Sequence, residues 1–130
     1  MSTIFTKIIT GEIPCHKIAE NEQFIAFLDI RPVAKGHTLV VPKTEIDYIF
    51  DQAEDVLSAM LPFAKRVAKA IEAVVPCGRI CLAVIGLEVP HTHLHLLPTN
   101  RMSDFNFKNH VPMTAQELSD LAAQIREHLK

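Results

Sequence analysis

The chain has 130 residues, 48% of them hydrophobic and 22% charged, with a formal net charge of −2. That composition fits one globular domain rather than a disordered chain, and it advertises no basic face for duplex nucleic acid. Cys15, Cys77 and Cys81 form a sparse, odd set that does not make a disulfide framework, and no apolar run approaches the roughly 20 residues of a membrane span.

The N-terminal stretch "STIFTKIITGEIP" opens on a capping residue and carries Ile4, Phe5, Ile8 and Ile9 at helical spacing; Gly11 and Pro14 end it. It lacks a basic segment leading into an apolar one, so a cytoplasmic protein is expected. "HKIAE" and "QFIAFLDI" read as two strands joined by "ENEQ", and "HTLVVP" as a third, entered through Gly36 and stopped by Pro42. Asp51 to Glu54 forms a capping-box pattern. The main helix follows it, with Leu57, Met60, Leu61, Ala64, Val67, Ala68, Ile71 and Val75 on one side. Pro62 removes a backbone donor and is expected to kink or break that helix.

"RICLAVIG" and "HTHLHLLP" read as the fourth and fifth strands. "TNRMSDFNFKNHVP" is polar and irregular, with Phe105 and Phe107 as its aromatic residues. A second capping box, Thr114 to Glu117, starts a C-terminal helix carrying Leu118, Leu121, Ala122, Ile125 and Leu129. Short connections within the strand groups point to antiparallel pairing, so the fold class is α+β rather than doubly wound.

His91, His93 and His95 alternate along the fifth predicted strand and so share one face, with Leu94 and Leu96 on the other. Three readings are open. The row could be a polar sheet face that happens to be rich in histidine. It could bind a metal, with His37, Glu88 or His110 as a further ligand, although three same-face rings on one extended strand converge poorly on a single ion. Or it could be catalytic, because a neutral imidazole held in one tautomer is a nucleophile toward phosphorus, and its neighbours can orient it and hold phosphate oxygens.

The stretch "HTHLHLLP" resembles the His-x-His-x-His signature of the histidine triad family of nucleotide hydrolases and transferases. "IFTKIITGEIP" resembles the family's N-terminal segment, and "FIAFLDIRPVAKGHTLVVPK" its nucleoside-binding hairpin and next strand. The resemblance runs over about residues 4–98 of a single domain spanning 1–130, which leaves a helical extension over about 99–130.

The resemblance implies a five-stranded antiparallel sheet with a main central helix and a C-terminal helix, joined to a second sheet in a homodimer. It implies a two-step reaction at the α-phosphorus of a purine nucleotide, with no metal and no other cofactor. His93 would attack and carry the nucleotidyl group; His91 and His95 would orient it and help bind phosphate, with His37 beside them. Asp29 would accept from the ribose hydroxyls. Ile4, Phe5, Ile8, Phe27, Leu28 and Ile30 would form the slot for the base.

Two departures bear on activity. The loop before the triad, "LAVIGLEVP", is short, and Leu87 and Glu88 stand where the family often has a polar pair. An ionised Glu88 at a substrate phosphate would repel it by about 1 kcal/mol or more even in water. Glu88 is therefore expected to serve as a buried proton donor, to turn away toward a histidine or Arg101, or to mark another leaving group or weak hydrolysis, unless it is simply a solvated loop residue. Thr6 stands where zinc-binding members often carry a cysteine, so no structural zinc is expected. The expectation is an enzyme; the other functional classes are a non-catalytic nucleotide-binding regulatory protein and a metal-dependent hydrolase.

Overall fold

The computed structural model describes residues 2–130. In chain order the elements are α1 (Ile4–Ile9), β1 (Lys17–Glu20), β2 (Phe24–Leu28), β3 (Thr38–Pro42), α2 (Glu54–Val74), β4 (Arg79–Ala83), β5 (Leu94–Thr99) and α3 (Ala115–Arg126). Single 3₁₀ turns lie at Ile49–Asp51 and Met102–Asp104. The strands form one sheet in the order β1-β2-β3-β5-β4, and every neighbouring pair is antiparallel. This is the α+β architecture that the strand grouping predicts.

The period of two along each strand sorts the side chains into two layers. Phe24, Ala26, Leu28, Val40, Leu94 and Leu96 lie in the main core with α2 and α3. Ile25, Phe27, Leu39 and Val41 face the other way and pack with Phe5 of α1. Leu118, Leu121, Ala122 and Ile125 of α3 belong to the main core. The chain beyond residue 98 is thus built into the fold rather than appended to it.

Local chemistry explains most element ends. Thr3 caps α1, its hydroxyl accepting from Thr6 N–H at 3.1 Å. Asn21 turns the chain between β1 and β2, its side-chain oxygen accepting from the N–H groups of Gln23 and Phe24. The capping box at Thr114 and Glu117 forms in full. Gly36 has φ +92°, and a Cβ there would stand 3.1 Å from both Pro98 Cγ and Val75 Cγ2. Only glycine lets the chain turn so tightly into His37.

Three sequence expectations are corrected. The box from Asp51 to Glu54 does not form: Asp51 ends the 3₁₀ turn, and α2 starts after Ala53, which makes no side-chain cap. Glu54 and Asp55 still complement the positive end of the helix. Pro62 neither breaks nor ends α2, which runs unbroken through its 21 residues. The bond it forfeits would have gone to the Ser58 carbonyl, and both residues are exposed, so the freed carbonyl lies where solvent can satisfy it. Finally, β5 begins at Leu94, not at His91. The backbone N–H groups of His91 and Thr92 go instead to the carbonyls of Val89 and Ile46. His95 alone of the triad sits in the ladder.

Candidate active site

The three histidines and His37 come together on the α1 side of the sheet, all buried. Their hydrogen-bond partners have fixed roles, so the partners set the tautomers. His93 Nδ1 lies 2.6 Å from the carbonyl of His91. A carbonyl only accepts, so Nδ1 carries the proton and the lone pair stays on Nε2. His37 Nδ1 accepts from Val33 N–H at 3.0 Å, which puts its proton on Nε2. That Nε2–H donates to His95 Nδ1 at 3.0 Å. His95 is left with its proton on Nε2. The result is a lone pair on one ring beside an N–H on the next, with ring centroids 4.9 Å apart.

His91 is occupied differently. Its Nε2–H donates to the Pro42 carbonyl at 2.8 Å, and its Nδ1 lies 2.8 Å from the Thr3 hydroxyl. Both ring nitrogens therefore hold protein groups. The ring ties the start of α1 to the end of β3, and its backbone carbonyl orients His93.

Burial is the leading cause of every shift in the row. It pushes His37 and His95 down to about 4, with neighbouring imidazoles adding in the same direction. It also lowers His93, against the opposing effect of the His91 carbonyl. Burial raises Asp29, opposed by the backbone N–H of Arg31 on its carboxylate. His37, His93 and His95 are therefore neutral near pH 7.

A stability prediction follows from the same values. In the unfolded chain each ring titrates near 6.5, so between pH 6.5 and about 4 the unfolded chain holds more protons than the folded one. Stability is full above that window and is lost as pH falls through it. His37 and His95 should each contribute a slope of up to about 1.4 kcal/mol per pH unit. Urea unfolding midpoints across the window check this, and His37→Asn should flatten the slope.

Asp29 follows β2, and its Oδ1 accepts from Arg31 N–H at 2.9 Å. Its Oδ2 lies 3.7 Å from His37 Nε2. The ligand atoms of Asp29, His37 and His95 all fall within 4.8 Å of one another. His37 Nε2 and His95 Nδ1 already share a hydrogen bond, which an ion taking both of those nitrogens would have to break. His110, a candidate fourth ligand from the sequence, is exposed and bonded to the Arg31 carbonyl.

Phe5, Ile8 and Phe27 gather in the smaller cluster, with the Phe5 and Phe27 rings 5.8 Å apart, and Phe5 also stands against His93 at 4.8 Å. Ile4 and Ile30 remain 48% and 68% exposed. Leu28 is corrected: alternation along β2 turns it into the main core, on the face opposite Phe27, and it lines no slot. Glu88 is exposed and makes no hydrogen bond or ion pair among the described residues. The readings that needed it buried, or paired with a histidine or Arg101, are not realised. Leu87 beside it is 89% exposed.

Four contributors were not identified as site residues from sequence. Thr3, Val33 and Pro42 act through a hydroxyl or through backbone groups, which carry no sequence signature. Phe107 stands edge-on to His95 at 4.8 Å, from a segment with no periodicity to place it.

Comparison with known proteins gives the class first. The HIT domain profile matches residues 10–102. The chain is 40% identical over 103 residues to the adenosine 5'-monophosphoramidase of Schizosaccharomyces pombe, covering 75% of this chain and 74% of that one. It is 28% identical over 135 residues to the adenylylsulfatase of Arabidopsis thaliana, covering 97% and 68%. The crystal structure of a HIT-like protein involved in cell-cycle regulation from Bartonella henselae superposes with a TM-score of 0.86 at 29% identity, covering 98% of this chain and 96% of that one. The chain belongs to the HIT family, the histidine triad proteins.

Proposed function

We propose that the protein is a nucleotide hydrolase or nucleotidyl transferase acting at the α-phosphorus of purine nucleoside phosphoramidates or dinucleoside polyphosphates. The observation that carries this reading is the hydrogen bond from His93 Nδ1–H to the His91 carbonyl, which leaves Nε2 free to attack. Relatives named for adenosine 5'-monophosphoramidate and adenylylsulfate support it, since those two substrates share an adenylyl group and differ in what leaves.

In the first step the His93 Nε2 lone pair forms a bond to phosphorus, and the bond from phosphorus to the leaving group breaks. The leaving group takes the bonding pair and picks up its proton from solvent. His95 Nε2–H donates to a phosphate oxygen, where charge gathers. Asp29 Oδ2 accepts from a ribose hydroxyl, and the apolar wall of Phe5, Ile8 and Phe27 takes the base. In the second step water forms a bond to phosphorus, the bond to Nε2 breaks, and the water's proton passes to solvent. The nucleoside monophosphate leaves and His93 regains its lone pair.

AMP release from adenosine phosphoramidate and from diadenosine polyphosphates tests this, for wild type and His93→Ala, with and without a chelator. Release that needs His93 and ignores the chelator is expected. Nucleotide binding without release by the wild type would favour the regulatory reading, and loss on chelation would favour the metal-dependent one.

The assembly is a homodimer joined through β4. One edge of β4 pairs with β5 and the other is open. Beside it, Leu61, Pro62, Ala68, Ile80 and Leu82 line an apolar groove, with Leu61 and Leu82 61% and 45% exposed. A second copy adding its own β4 would satisfy the open edge and cover the groove together. Sedimentation of Leu82→Arg should give monomers where the wild type gives dimers. A monomeric wild type would refute this assembly.

A further inference from the structure

Four aromatic rings make a chain of contacts through the site. Phe5, His93, His95 and Phe107 follow one another at centroid separations of 4.8, 4.9 and 4.8 Å, each pair edge to face. Phe107 also meets His37 at 6.2 Å, and Phe105 backs it at 5.6 Å. The two histidines lie inside the stretch that matches the HIT domain, and Phe107 lies beyond its end at residue 102.

The turn that carries Phe107 is fixed without helix or strand. Asn106 accepts at its side-chain oxygen from Lys108 N–H and at its carbonyl from Asn109 N–H. His110 Nδ1 bonds the Arg31 carbonyl at 3.1 Å, and Val111 N–H donates to the Pro32 carbonyl at 2.8 Å. These bonds tie the turn to the loop that follows Asp29. A half-buried phenylalanine is thereby held against two imidazoles by an otherwise polar segment.

We propose that Phe107 is a positioning residue for the His37–His95 pair: its ring closes the side of His95 turned away from His93 and keeps water off the shared hydrogen bond. The proposal rests on the reading of the histidines given above. Without the ring, water can compete with His37 for His95 Nδ1, and the imidazole gains room to turn. Either event removes the Nε2–H from its line to the phosphate. Phe5 closes the other end of the chain of contacts, so Phe107 supplies the one ring contact to His95 from outside the histidines.

The groups facing His95 are His93, His37 and Asp29, and His110 acts on the last two from farther out. All are unchanged in Phe107→Ala and Phe107→Leu, so a change in His95 reports the lost ring. The experiment follows the ring C–H resonances of His95 against pH, together with kcat and KM of the full chain against pH. In Phe107→Ala the His95 midpoint should rise from about 4 toward 6.5. Activity should fall by about tenfold in kcat with KM little changed. Phe107→Leu, which keeps more apolar volume, should show a smaller shift in the same direction, and it decides the question if the alanine variant does not fold. An unchanged His95 midpoint in a folded variant overturns the proposal and leaves Phe107 as packing alone. The resonances report the contact even in a protein that turns over no nucleotide, so failure of the catalytic reading and failure of this one are distinguishable.

Discussion

His93→Ala is expected to release AMP at least about 10⁴-fold more slowly than the wild type while still binding nucleotide. The size of the loss follows from the tautomer arrangement. Of the four imidazoles, His91 has both nitrogens engaged by protein, and His37 gives one nitrogen to Val33 and the other to His95. His95 presents an N–H outward, not a lone pair. No neighbour can take over the attack, so what remains is the donor and the binding slot. Binding is expected to persist because Phe5, Ile8 and Phe27 pack in a cluster of their own and Asp29 is held by Arg31 N–H, although Phe5 loses its contact with the His93 ring. Steady-state rates with a binding isotherm on the same preparation check both halves.

The second largest effect belongs to His95. His95→Ala should lower kcat by about 10²–10³-fold with KM nearly unchanged, as expected for a donor whose value lies in the transition state. His37→Ala should cost less, since in the proposed mechanism it would act on the phosphate only through its bond to His95. The order His93, His95, His37 is itself the prediction: a polar sheet face with no chemistry would give no such ranking. Single-turnover rates for the three variants, read beside their melting temperatures, separate lost chemistry from lost fold.

Much of this was legible in the chain. Alternation in "FIAFL" and "TLVVP" places the two layers of the sheet, and the box at Thr114 and Glu117 marks the start of α3 correctly. The same rule, carried through, also separates Leu28 from Phe27, because adjacent strand residues cannot share a face. The box at Asp51 and Glu54 has the right letters, yet a 3₁₀ turn just ahead claims Asp51 first.

The triad shows the limit most clearly. Alternation puts His91, His93 and His95 on one side, and they are on one side, but not because all three lie in a strand. A local hydrogen bond from His91 N–H to Val89 and a tertiary one from Thr92 N–H to Ile46 hold the stretch that carries the first two. The partners that decide the tautomers are backbone groups and a ring nitrogen: some lie close by, as the His91 carbonyl does for His93 and Val33 N–H for His37, and some far off, as the Pro42 carbonyl does for His91 and His37 for His95. Position 107 is the extreme case, a single phenylalanine in an aperiodic stretch whose place is set by backbone bonds to the loop after Asp29.

The most direct test of the central claim is the stereochemical course at phosphorus. An adenosine phosphoramidate made chiral at phosphorus with sulfur would be hydrolysed in isotopically heavy water, and the configuration of the product determined. Attack by His93 followed by attack by water inverts the centre twice, so the account predicts overall retention. Overall inversion would mean that water displaces the leaving group in one step, and the covalent role assigned to His93 would be wrong.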